Sequence, residues 1–234
     1  MDAAWGGAGS KSRRRPRRHP PRVAAVHEGA VQPKSVFRSA IGGALLSRAM
    51  QSVLARELEG KGSRLMARHM FRRVPIPDFA QYELPDGTEL NIGPDRYRVS
   101  ELLFQSARVS QFPGLEGDPL LAGRQLLSWP ALVKTAVDAC DAEVRREYWS
   151  SIVIGGGTSL LPNSRERLER ELTALAPGGV RAKVNAPVNP AEKRFATWIG
   201  GSILASLPSF QQCWLSRAEY DEYGAGLIHR KGVL

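Results

Sequence analysis

The sequence predicts an α/β chain, on three observations. Ile152, Val153 and Ile154 form a β-branched run that leads through Gly155, Gly156 and Gly157 into a helical pattern with Leu168, Leu172 and Leu175 on one face. The stretch YELPDGTELNIG, residues 82–93, holds Asp86 and Gly87 between two alternating apolar runs, a strong short-range hairpin signal. Leu45, Leu46, Ala49, Met50, Val53, Leu54 and Leu58 recur at helical spacing. Strands alternating with helices define the class. With 234 residues, 42% of them hydrophobic, the chain is large enough to bury a core.

Taken in order, residues 1–22 are rich in Gly, Ser, Pro and Arg and should form a disordered basic tail, since they offer little apolar surface to bury. RVAAV and KSVFRS then read as two short strands around a turn at residues 27–29. The helix over residues 45–58 ends at Gly60 and Gly62, where the spacing of a phosphate loop is absent. After the hairpin, residues 106–123 read as a loop, and residues 126–144 as a helix with Pro130 in its first turn. Asn163 and Glu166 have capping-box spacing at the start of the next helix, which stops at Pro177, Gly178 and Gly179. VRAKV, residues 180–184, reads as a strand.

Charge is unevenly placed. Seven basic residues, Lys11, Arg13, Arg14, Arg15, Arg17, Arg18 and Arg22, against Asp2 give +6 in the first 22 positions, leaving +4 of the total +10 for the other 212. The folded part is therefore only mildly basic. The tail fits a nuclear-import cluster, an organelle transit peptide, a DNA contact or an inert solvated segment. Cys140 and Cys213 make no disulfide framework, and His19, His27, His69 and His229 stand outside any metal-ligand spacing, so no metal is expected. No apolar run reaches membrane-spanning length. Asp138, Asp141 and Glu143, like Glu219, Asp221 and Glu222, are spaced as solvent-facing carboxylates, and Ser159 lacks the GxSxG setting of a nucleophile.

The glycines at 155–157 have two readings. A strand, a glycine turn and a helix can bring backbone close to a nucleotide, because glycine removes the Cβ that blocks approach. The same arrangement also joins any strand to any helix. On the helix that follows Arg194, Trp198, Ile199, Ile203, Leu204 and Leu207 flank Gly200 and Gly201, so that helix could approach a ligand or another backbone closely.

WIGGSILASL, FQQ, WLS, EYDE and HRK occur in that order over residues 198–231, and GGGTSLLP is followed by RLERELTALAP. In these motifs the chain resembles the C-terminal half of actin and actin-related proteins, from about Val23 to Leu234. VHEG at residues 26–29 and the segment before Trp198 most resemble the nuclear actin-related subunit of chromatin-remodelling and histone-acetyltransferase complexes.

The resemblance implies an actin-like, RNase H-like ATPase-fold lobe, incomplete, with a reduced inserted subdomain over residues 44–100 and C-terminal helices over 196–234. It also implies cofactor-binding positions on the adenosine side at Gly155, Gly156, Gly157, Thr158, Leu161 and Arg194. Leu161 stands where the family has a tyrosine, and Arg22 where it has a catalysis-assisting histidine. The DxGxG hairpins that hold phosphate and metal do not occur in this sequence. No catalysis is therefore expected, and no cofactor beyond weak ATP or adenosine. The missing strand should leave a sheet edge unpaired, and Trp198, Ile203, Phe210, Trp214 and Tyr220 should form an exposed apolar patch. Such a chain is either a truncated product or a subunit that folds against a partner.

The expected role is a scaffold subunit of a nuclear chromatin complex, whose partners are the other subunits, actin among them, and DNA through the tail, with no membrane. The alternative is a truncated conventional actin or cytoplasmic actin-related cytoskeletal protein that binds ATP. A third reading takes the tail alone as a nucleic-acid binder.

Overall fold

The computed structural model describes residues 20–58, 80–83, 89–112, 115, 118 and 121–231. The expected tail thus lies mostly outside the described residues, as does the Asp86–Gly87 turn. The tail ends earlier than position 22, because Arg22 already pairs in a strand.

The first expected hairpin is two nested pairs. β1 (Arg22–Val23) pairs antiparallel with β4 (Phe37–Arg38), and β2 (Val26–His27) pairs with β3 (Ala30–Val31) inside it. Glu28 and Gly29, at φ 50° and 84°, close the inner pair, since a two-residue turn with positive φ matches strand twist. KSVFRS is strand only at its end; Pro33–Ser35 is a 3₁₀ turn, and the buried Ser35 hydroxyl takes the Ala25 N–H at 2.7 Å.

α1 (Gly43–Leu58) buries Leu45, Ala49 and Val53 at four-residue steps. β5 (Ala80–Glu83) and β6 (Glu89–Ile92) form the second hairpin, with Ala80 opposite Ile92 and Glu83 opposite Glu89. α2 (Asp95–Glu101) packs on α1.

The helix expected over residues 126–144 is two. α3 (Trp129–Asp138) starts at Ser128, whose hydroxyl accepts from the Ala131 N–H, with Pro130 in the first turn. It stops because the Arg145 guanidinium folds back to the carbonyls of Asp138 and Cys140, both at 2.8 Å, a cation satisfying helix-end acceptors. α4 (Arg145–Ser150) buries Trp149. α5 (Ser164–Leu175) turns Leu168 and Leu172 into the core beside Ile41, Leu102, Leu103 and Val184.

β7 (Ile152–Val153) and β8 (Val184–Asn185) are parallel neighbours in a two-stranded sheet. β8 is shorter and later than residues 180–184: the Val184 N–H goes to the Glu169 carboxylate at 3.2 Å instead of to a third strand. α6 (Pro190–Ser206), α7 (Arg217–Tyr223) and α8 (Ile228–Lys231) complete the chain. No described helix is long and apolar enough to cross a membrane.

Candidate functional site

The glycine turn between β7 and α5 is shaped by two different demands. Gly156 has φ 94° and ψ 170°, a region open essentially to glycine alone. Gly155 sits in tight packing, since a Cβ there would stand 3.2 Å from the Ala196 Cβ, closer than most such contacts, and 3.5 Å from the Lys193 carbonyl. Gly157 answers to neither: its φ is ordinary, and a Cβ would meet nothing within 4 Å.

Three contacts lock the turn. The buried Ser159 hydroxyl donates to the Gly156 carbonyl at 2.7 Å, the Ser164 hydroxyl donates to the Ser159 carbonyl at 2.9 Å, and the Gly156 N–H donates to the Lys193 carbonyl at 2.7 Å. Ser159 is thus a brace, in line with its lack of a nucleophile setting. The Thr158 hydroxyl stands at the start of α1, 2.8 Å from where a Cβ of Gly43 would be. Leu161 is half-buried against the core.

Structure and sequence differ at two points around this turn, Asn163 and the Gly200–Gly201 pair. Asn163 adopts left-handed backbone, φ 58°, and its side chain makes no cap bond. The Glu166 carboxylate instead accepts its own backbone N–H, the main reason its pKa is lowered. Arg194 is exposed, its guanidinium 5.5 Å from the Phe195 ring centroid; Lys193 and Ala196 are the residues of α6 that meet the turn. Gly200 and Gly201 have nothing within 4 Å of a built Cβ, so α6 approaches another backbone at Gly155 and not at its own glycine pair. Gly43, Lys193 and Ala196 were missed by sequence reasoning; the Gly42–Gly43 pair ahead of a helical pattern was the available signal for the first.

The opposite side of α6 carries an open depression of about 500 Å³ lined by Ala191, Glu192, Phe195, Trp198 and Ile199. It belongs to a wider face. No residue of α6, α7 or α8 is buried, Trp198 is 74% and Trp214 58% exposed, and Ile203 and Tyr220 are exposed with them. Phe210 is half-buried. From Phe195 to Ser216 no charged residue occurs. Exposed apolar side chains gathered in this way are the kind of surface at which proteins dock. Of the carboxylates set aside as solvent-facing, Asp138 is exposed and pairs with Lys134, whereas Glu219 is half-buried and pairs with Lys231. Among the described residues no three metal-ligating side chains converge.

A parallel β-strand, glycine turn and helix locked by backbone contact onto a second helix that itself carries WIGGSILAS belong to a chain of the actin family: the family model described as Actin matches residues 75–233. Among curated proteins it is similar to actin-related protein 4 of Arabidopsis thaliana, 36% identical over 261 aligned positions, and to actin-related protein 4 of the indica and japonica subspecies of Oryza sativa, each 35% over 259. These alignments take in 89% of this chain and 57–58% of the relatives. The chain therefore spans somewhat more than half the length of the curated relatives it matches.

Proposed function

We propose that this chain is a non-catalytic actin-related scaffold subunit of a nuclear chromatin-remodelling or histone-acetyltransferase complex. The observation that carries the docking role is the uncharged, unburied run from Phe195 to Ser216 on the C-terminal helices. A partner that covers it gains about 25 cal/mol for each Å² of apolar surface removed from water. The similarity to actin-related protein 4 supports the choice of complex. The absence of any DxGxG sequence supports the lack of ATP hydrolysis, and the basic residues at 11–22 supply nuclear import or a DNA contact.

Affinity capture of the tagged chain from nuclear extract tests this. Recovery of remodeller or acetyltransferase subunits, with nuclear actin, is the expected result. Recovery of cytoskeletal proteins alone refutes it.

A second reading, an actin-type cytoskeletal chain that still holds ATP, draws on the open space at Gly157 beside Thr158. Pelleting under polymerising salt with ATP present separates it from the scaffold.

A further inference from the structure

We propose that Ser110 is a phosphate-acceptor site for a serine/threonine kinase that selects glutamine immediately after the acceptor. Ser110–Gln111 is the one place in the 234 residues where a serine or threonine is followed by glutamine. Such a dipeptide is common in proteins; its placement here is what presents it to an enzyme.

Between α2 and α3 the chain advances in turns of three residues, beginning with the 3₁₀ helix Ser106–Gln111. The N–H groups of Phe112, Leu115, Asp118 and Leu121 donate to the carbonyls of Val109, Phe112, Leu115 and Asp118 at 3.2, 3.3, 3.1 and 2.8 Å. Residues three apart along such turns share a face, and here that face is turned inward. Val109, Phe112 and Leu115 belong to the core, and the Asp118 carboxylate, its side chain 3% exposed, pairs with Arg48 of α1 at 2.7 Å. Ser110 and Gln111 occupy the two places between the first two anchors, so both face out, and both are exposed.

Neither side chain is committed to the fold. The Ser110 hydroxyl donates to the Ala107 carbonyl at 3.1 Å in a solvent-exposed bond that water can replace, and the Gln111 amide makes no hydrogen bond among the described residues. A kinase cleft can therefore engage both while the buried anchors stay in place. The hydroxyl oxygen attacks the γ-phosphorus of ATP; the new O–P bond replaces the one to the bridging oxygen, ADP leaves, and the hydroxyl proton passes to the general base of the kinase. The product adds about −1.5 to −2 charge at pH 7. Because that charge stands opposite the anchored face, it marks the surface without displacing Val109 or Phe112.

Incubation of the full chain with ATP and a purified glutamine-directed kinase, followed by peptide mass mapping, tests the site. Ser110 should carry the phosphate, Ser110→Thr should accept it as well, and Gln111→Ala should slow incorporation by more than about tenfold, because a pocket shaped for the amide is left unfilled. Both substitutions fall on exposed side chains and should leave the melting temperature unchanged, which separates lost recognition from lost folding; the phosphorylated chain should keep that temperature too. Phosphate at other residues but not at Ser110, or equal incorporation in Gln111→Ala, overturns the acceptor site. A phosphorylated chain that melts well below the unmodified one overturns the surface mark. Neither result depends on which complex the chain joins.

Discussion

The backbone N–H of Gly156 donates to the carbonyl of Lys193 at 2.7 Å, so the glycine turn and the first turns of α6 form one unit. Gly156 holds the conformation that aims this N–H. Gly156→Ala should therefore cost about 1–3 kcal/mol of stability, read as a lower urea midpoint. Amide exchange should accelerate through α6. Unchanged exchange there would mean that α6 is held by something other than the turn.

Arg167 joins two elements far apart in sequence. Its guanidinium faces both carboxylate oxygens of Glu101 at 3.3 and 3.4 Å, meets Glu171 at 2.8 Å, and lies 5.2 Å from the Phe104 ring centroid. An exposed ion pair alone contributes little, but a two-pronged pair stacked on an aromatic ring should contribute about 1–2 kcal/mol. Arg167→Ala should lower stability by that amount, and Arg167→Lys should recover only part of it, because an ammonium keeps the charge and loses the fork. A double-mutant cycle with Glu101→Gln measures the coupling directly.

On the uncharged face of α6, substitution should leave the fold intact and change what the fold attracts. Trp198→Ser and Ile203→Ser together remove apolar surface that is already in water. The melting temperature should change by no more than a degree or two, while dye binding and self-association in size-exclusion chromatography both fall. A large loss of stability would show that the face is covered within the chain.

The two cysteines should react at very different rates. Cys140 is buried, and its thiol pKa is raised by that burial and by Asp141; Cys213 is half-buried on the uncharged segment. Since the thiolate is the reactive form, iodoacetamide should label Cys213 first. Labelling of Cys140 should follow the unfolding curve in urea.

Much of this fold was legible because one pattern dominated locally. The four-residue steps of Leu45, Ala49 and Val53 specify α1, and the run of Ile152, Val153 and Ile154 into three glycines specifies the turn. The exposed apolar patch was legible through the resemblance to actin-related proteins, in which the helices at these positions pack against another subdomain. What escaped depended on contacts between distant residues. Residues 180–184 look like a strand, yet pairing begins only at Val184, whose N–H is satisfied by Glu169 on α5. The split after Asp138 required knowing that Arg145 turns back onto the helix end. Spacing alone suggested a capping box at Asn163, but left-handed backbone there directs the side chain elsewhere. The partner of the glycine turn was hidden for the same reason, since nothing near Gly155 in sequence points to Ala196.

The C-terminal helices should unlatch in acid at an unusually low pH. Glu219 is held well below the ordinary carboxylate range, at about 2, first by the hydrogen bond from Lys231 at 2.5 Å and then by the N–H and hydroxyl of Ser216, both at 2.8 Å. A depressed pKa means that the charged form is bound better in the folded state. The stabilisation is therefore complete above the ordinary carboxylate value, and it fades as pH falls from about 4.3 toward the folded value. An NMR titration of the Glu219 side chain should show its midpoint near 2, with the helical signals of α7 and α8 weakening over the same range. Lys231→Ala removes the largest contribution and should move the midpoint back toward the ordinary range. A wild-type midpoint already in that range would mean that the cap and the ion pair do not form in solution.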